Sequence, residues 1–380
     1  MTASLRRFLS QGAFRKKPLF RAFCHTAAMR RFPGALTAVM LLCLAAAGQN
    51  PVETVPYTLH VYTDLVQIPT LVLSPTLRTL HQVDTQQFRV SLDAGPLFQP
   101  THVRLEGDDP ITLAILIDVS LDPKYLPESL GADIAALAPE MLHPEDHISI
   151  YALDCRLIRT AYNVPANAPG IEQDVDDALQ LPDPHGKKGH AACARSLHLW
   201  NAMVAITSQL SNLPGRRVIL AITGGLDGGS SLKWVDAKNF ADDASVAIFG
   251  LPLPAYENSA VYRYREPQDG DAAQEDPFDM VCQLSGGLIL RTRDRDLPQM
   301  LDRFVERVRG RYILEFPRPA NTTTGRHSIN VTMEGTHAFI RPAGIVVPVL
   351  NPAILNDPTT IPSDPSRTPQ VGKRHILDPQ

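Results

Sequence analysis

The sequence contains no apolar run of membrane-spanning length. Its longest, within MRRFPGALTAVMLLCLAAAGQN from Met29, is about 14 residues, against the ~20 that a helix needs to cross a bilayer. Five cysteines in 380 residues are too few for a small disulfide-stapled scaffold. Acidic residues are missing from positions 1–48, which carry eight Lys or Arg, so the remainder holds 28 basic and 40 acidic side chains. That remainder lacks the basic surplus needed to bind a phosphate backbone, which argues against nucleic acid as a partner. There is no internal repeat and no Gly-x-Ser-x-Gly nucleophile elbow. What is present is a 44% apolar composition, enough to bury a sizeable core.

The basic start has its own logic. A basic head, a short apolar stretch and small residues at its end form a secretory signal peptide, with cleavage expected near Ala47 or Gly48. The 28 residues before Met29 are either an extended n-region or a start codon placed too early; the second is preferred, because Met29 alone opens a complete signal. Leu42 before Cys43 is too bulky for the usual lipobox, which argues against a lipid anchor. The expected location is therefore secreted or periplasmic, with no transmembrane helix in the mature chain. Of the cysteines beyond the signal, Cys155, Cys193 and Cys282, each is read as a small buried hydrophobe, although export permits a disulfide.

Organisation follows from periodicity. VQIPTLVLS and QFRVSLD alternate with period two and THVRLEG reads as a further short strand, giving a β unit over 55–107. From 108 to 309 strands and helices alternate. ITLAILID, HISIYALD, RRVILAIT, SVAIFGLPL and GGLILRT are strands. PESLGADIAALAPEML, IEQDVDDALQL, SLHLWNAMVAITSQL, SLKWVDAKNFADD, DPFDMVCQL and LPQMLDRFVERVRG are helices. Such alternation implies an α/β domain whose parallel sheet is covered on both faces. A C-terminal β segment, 310–347, holds RYILEFP, HSINVTM and HAFIRP, with a hairpin turn expected at Glu334-Gly335. The polar stretch 256–276 reads as a surface loop, and the Pro/Thr/Ser/Asp-rich tail 348–380 as disordered.

The chemistry-bearing stretch is ILIDVSLD, where a buried run ends in Asp118, Ser120 and Asp122. This ending resembles the Asp-x-Ser-x-Ser of von Willebrand factor A (VWA) domains. ADDASVAIFGLPL resembles the family's penultimate strand and VCQLSGGLIL its helix-to-last-strand join, while RGRYILEFPRPANTTTGRHSINVTMEGTHAFIRPAGI resembles the C-terminal β segment of a VWFA-related subgroup known mainly from Acidobacteria, which the leading β unit with LVQIPTLVLS also fits. The resemblance spans residues 55–347. It implies a Rossmann-like, mostly parallel sheet with helices on both faces and small β segments at its flanks. It also implies a metal-ion-dependent adhesion site at the strand ends, where an acidic side chain of a partner completes the shell of a divalent cation such as Mg²⁺.

The family's pattern is degenerate here. Asp122 stands at the third position instead of Ser. Aligning Leu199-Trp200-Asn201 puts Leu197 where the family has Thr, with Ser196 one residue off. In Thr223-Gly224-Gly225-Leu226-Asp227, Gly224 stands where the family has its second metal-linked Asp, and the outer Asp227 survives. The candidate metal positions are therefore Asp118, Ser120, Asp122, Ser196 and Asp227. A cation held through Asp122 is conceivable, but Asp118 and Ser120 are read as capping the following turn, so no cofactor is expected.

Other candidates have blander readings. His185, His190, Cys193 and His198 are zinc ligands by type, but their spacing matches no standard site. GGLDGGSS lacks the Gly-Lys-Ser/Thr ending of a phosphate loop. Asp174, Asp176 and Asp177 read as a solvated helix face, and Trp200 and Trp234 as core. The expected work is non-enzymatic binding of a protein or other envelope partner through the strand-end face around Ser120, Ser196 and Asp227. Alternatives are a structural envelope component with an inactive site, or a hydrolase on a Rossmann-like sheet.

Overall fold

Every residue of ITLAILID is buried, and the molecule is arranged around the two sides of that run. The computed structural model describes residues 65–120, 126–180, 197–258, 276–319, 325–344, 346–347 and 368–372. β1 (Leu65–Leu73), β2 (Phe88–Leu92) and β3 (His102–Leu105) precede the central strand β4 (Ile111–Asp118). Then come α1 (Leu130–Ala135), α2 (Leu137–Glu140), β5 (His147–Leu153), β6 (Leu157–Pro165), α3 (Ile171–Leu179), α4 (Leu199–Leu210) and β7 (Arg216–Ile222). After these follow α5 (Trp234–Asp243), β8 (Ala247–Gly250), α6 (Pro254–Asn258), α7 (Pro277–Leu284) and α8 (Leu297–Arg309). β9 (Tyr312–Pro317), β10 (Gly325–Arg326), β11 (Ile329–Met333), β12 (Phe339–Pro342) and β13 (Val346–Val347) complete the order.

The central sheet has the order β6-β5-β4-β7-β8. β4 runs parallel to β5 and β7, β7 parallel to β8, and β6 antiparallel at the edge. Strand periodicity sorts β4 between two cores. Ile111, Leu113, Ile115 and Ile117 face a layer with residues of α1, α3 and α8. Ala114 and Leu116 face the opposite layer, with residues of α4, α5 and α7. Both faces are covered, as a continuous apolar strand requires. The chain is thus an α/β fold with a mostly parallel, doubly wound sheet.

The leading and trailing β segments form one body. One sheet has the order β12-β1-β9-β3, and β2 pairs with β11 in a second. Val66, Ile68 and Val72 of β1 share a core with Phe88, Val90, Leu314, Phe316 and Val331. Leu71 and Leu73 point the other way, into the core of the α/β part. One strand therefore serves two cores through its two faces.

Several expectations are corrected. Glu334-Gly335 is not the turn of a hairpin: β11 pairs with β2 and β12 with β1, so the turn carries the chain from one sheet to the other. β6 is an additional edge strand. Its half-exposed pattern leaves no continuous apolar run to betray it. GGLILRT reduces to a single parallel bridge between Gly250 and Ile289. The helix expected over 127–142 breaks at Ala138 (φ −106°, ψ 133°), because a residue before proline is pushed out of the helical region. In the tail expected to be disordered, Val371 forms a parallel bridge with Leu92. The loop expected from residue 256 begins with a tyrosine that is fully buried. The signal segment lies outside the described residues.

Two buried ion pairs lie close to the junction of the β body and the α/β part. Arg311 grips Glu106 through Nε (2.7 Å) and Nη2 (2.6 Å), and both side chains are at most 1% exposed. Arg309 donates to Asp146, which also accepts the backbone N–H groups of Ile111 and His143. A third contact is partly open: Asp109 takes both Arg104 of β3 and Arg216 of β7.

Removing one partner of a buried pair leaves a bare charge. Glu106→Ala is therefore expected to cost about 3–5 kcal/mol, read as a lower urea midpoint at unchanged slope. Glu106→Leu combined with Arg311→Met is expected to recover most of that loss. For Asp109, burial pushes the carboxyl pKa up, but hydrogen bonds from Arg104 and Arg216 outweigh it and leave the pKa lowered. Such a group contributes stability that is complete above its unfolded pKa and is lost as pH falls through the folded one. The stability gap between wild type and Asp109→Asn is expected to hold from neutral pH to about 4 and to close below that, measured by urea unfolding across pH.

Candidate functional site

In an open α/β sheet the crevice outside the carboxyl ends of the strands opens where the strand order reverses. Here that point is the end of β4, with β5 on one side and β7 on the other. Asp118 is the last residue of β4 and is fully buried. Its Oδ1 accepts the backbone N–H (3.0 Å) and the hydroxyl (2.6 Å) of Ser120. Its Oδ2 accepts the hydroxyl of Thr223 (2.8 Å), the residue after β7. The Thr223 Oγ1 in turn accepts Gly225 N–H (3.2 Å). Tyr256 of α6 reaches under the site, its hydroxyl 2.5 Å from the Asp118 carbonyl and 3.2 Å from that of Ile222.

Asp227 serves a different structure. Its Oδ1 accepts Trp200 N–H (3.3 Å) and the Ser230 hydroxyl (2.6 Å), and Oδ2 accepts Ser230 N–H (3.3 Å). The Ser230 Oγ accepts Asn201 N–H (3.1 Å). Trp200 and Asn201 lie in the first turn of α4, whose N-cap residue His198 makes no side-chain cap. The helix is therefore capped from another loop, its orphan N–H groups met by Asp227 and Ser230. The Leu197 carbonyl accepts Gly228 N–H (3.0 Å) and Gly229 N–H (3.2 Å). In the Gly-rich loop the N–H groups of Gly225, Gly228, Gly229 and Ser230 are thus spent within the protein.

Gly225 has a conformational requirement. Its φ is +80°, and a Cβ there would lie 2.5 Å from Cβ of Phe278. Glycine lets the turn after β7 close against that ring.

The structure brings Asp118, Ser120 and Thr223 together and sets Asp227 apart in the α4 cap. Asp122 and Ser196 lie outside the described residues, as do His185, His190 and Cys193. A divalent cation of the Mg²⁺ type takes six oxygens in octahedral array and usually keeps several waters. The described residues do not fit that demand. Both Asp118 oxygens are engaged, Leu197 is fully buried among apolar side chains, and Gly224 offers no ligand. Among the described residues no three His, Cys, Asp or Glu side chains converge on one point. Ser120 and Ser230 donate to carboxylates and not to a histidine.

The remaining candidates are structural. Trp200 is buried and Trp234 packs partly buried against the same core. On α3, burial and then the Asp177 charge raise the pKa of Asp174. Cys282 is buried and free, its thiol pKa pushed well up by burial first and by Asp279 and Asp276 next. Cys155 departs from its reading as a small buried hydrophobe: it is disulfide-bonded. Sequence reasoning missed Thr223 and Tyr256 as parts of the site. Thr223 carried a signal, standing directly after an apolar strand; Tyr256 carried none.

No protein-family model matches the chain, and no curated protein matches it. Among solved structures, the human COPII-coat protein Sec24c aligns at TM-score 0.35 and 10% identity, covering 53% of this chain and 32% of that one. This chain therefore spans about a third of the Sec24c chain. The conserved hypothetical protein BatB from Bacteroides thetaiotaomicron aligns at TM-score 0.33 and 16% identity, covering 52% and 98%. The SpRpn10 VWA domain aligns at TM-score 0.32 and 10% identity, covering 50% and 94%.

Asp118→Ala strands the Thr223 and Ser120 hydroxyls without their acceptor and is expected to lower stability by about 1–3 kcal/mol. Asp227→Ala removes only a helix cap, for about 0.5–2 kcal/mol. Urea unfolding of the two variants at neutral pH measures both. Equal stability of Asp118→Ala and wild type would show that the network does not support the fold.

Proposed function

We propose that this chain is an exported, non-enzymatic binding protein whose contact surface is the strand-end face of a VWA-like α/β domain. It recognises a protein or other envelope partner without a bridging metal. The observation that carries this reading is the closure around Asp118, where Ser120 and Thr223 occupy the carboxylate oxygens. A buried carboxylate already satisfied by hydroxyl and amide donors has less call for a cation to neutralise it. Above it the loop after β7 leaves Gly228, Gly229, Ser231 and Lys233 exposed, a rim that a partner can touch.

Two further observations support parts of the proposal. A disulfide at Cys155 suits an oxidising compartment outside the cytosol. No helix among the described residues is long and apolar enough to cross a membrane. The closure of the site also favours a second reading, a structural envelope component whose strand-end face contacts nothing.

The test has two arms. Calorimetric titration of the full chain with Mg²⁺ and Mn²⁺, alongside Asp118→Ala, is expected to give no saturable heat up to millimolar metal. Saturable binding that Asp118→Ala abolishes would overturn the metal-free reading. Cross-linking of the exported protein in intact cells is expected to yield a partner adduct that persists in a chelator and is lost in Lys233→Glu. The absence of any adduct would favour the structural reading.

A further inference from the structure

A second polar site lies at the other end of the central sheet, where the strands begin and the β body meets the α/β part. A cavity of about 250 Å³ is lined there by Leu65, Gln67, Pro69, Gly215, Arg216, Arg217, Ser245 and Arg311. A water takes only about 30 Å³ of liquid, so the space admits a larger group. Three of its lining residues are arginines, drawn from the start of β7 and from the residue before β9.

Their partners are unequal. Arg311 is neutralised by Glu106. Arg216 donates through Nε and Nη2 to Asp109 and through Nη2 to Gln67. Asp109 is shared with Arg104, and Arg104 also lies 3.6 Å from Glu315. Arg217 differs. Its Nε donates to the Leu213 carbonyl (3.0 Å) and its Nη1 to the Ala244 carbonyl (2.9 Å), and among the described residues it meets no carboxylate. Four guanidinium groups thus face three carboxylates, and the excess positive charge sits on Arg217. One terminal nitrogen of each lining arginine, Nη1 of Arg216 and Arg311 and Nη2 of Arg217, makes no hydrogen bond among the described residues.

We propose that this cavity binds a small oxyanion, the phosphate or carboxylate group of a ligand, between Arg217, Arg216 and Arg311. Guanidinium is the side chain suited to this, because its planar fork matches both groups and it stays charged when partly desolvated. Burial, and then the neighbouring Arg216 charge, lower the Arg217 pKa from its ordinary value; the charge of a bound anion acts in the opposite direction. The bound group bridges β7 to β1 and β9, and so pins the β body to the α/β part at the end remote from Asp118. The site is independent of the strand-end face.

The test is calorimetric titration of the full chain with inorganic phosphate and, separately, with acetate, in chloride buffers of constant ionic strength. Saturable binding of at least one anion at one site per chain is expected. Phosphate alone points to a phosphate-bearing ligand; acetate as well points to a carboxylate. Arg217→Gln is expected to weaken binding at least tenfold, and Arg216→Gln, which leaves the Arg104–Asp109 pair in place, to weaken it too. Arg303→Gln, on the exposed face of α8, is expected to change nothing. Absence of saturable binding to the wild type, or wild-type affinity in a folded Arg217→Gln or Arg216→Gln, overturns the proposal.

Discussion

A carboxylate at the end of a fully buried strand must find its donors inside the protein, and the upper end of this molecule is organised by that demand. An uncompensated charge in such a place costs several kcal/mol. Asp118 meets it with one residue from its own turn and one from the turn after the neighbouring strand. Tyr256 then ties the carbonyls at the ends of β4 and β7 to α6. The turn after β4, the turn after β7 and the short helix beyond β8 are held together by groups that converge on one residue.

The opposite end follows the same electrostatic rule. Charges there lie at the seam between two bodies, and a buried bidentate pair sets which segment meets which. Glu106 ends the leading β segment and Arg311 begins the trailing one, so the pair closes the chain around the α/β part. The pairing of β1 with β9 repeats that closure in backbone hydrogen bonds. One arginine is left over, and it borders the cavity. The two ends thus differ in chemistry: a carboxylate closed upon itself at one, a cation with neutral partners at the other.

Much of the architecture was legible because the central strands are apolar throughout and the helices between them are amphipathic. The doubly wound sheet follows from that alternation. Asp118 and Ser120 were also legible, since an acid and a hydroxyl directly after a buried strand have few places to go. Asp227 was legible as a residue of that region but not in its role. Capping α4 depends on where the loop after β7 lies relative to a helix that begins 28 residues earlier in sequence. β6 escaped notice because an edge strand half open to solvent needs no apolar run.

The sequence by itself determined the alternation of strands and helices, the burial of ITLAILID and the absence of a ligating side chain at Leu197 and Gly224, because these depend on residue identity and local period. Only the tertiary structure decided which strands pair across more than 200 residues, that Thr223 and Tyr256 complete the Asp118 network, and that one arginine is left without a carboxylate at the seam. Those outcomes rest on distances between segments far apart in the chain, and a pattern read along the chain carries no such distances.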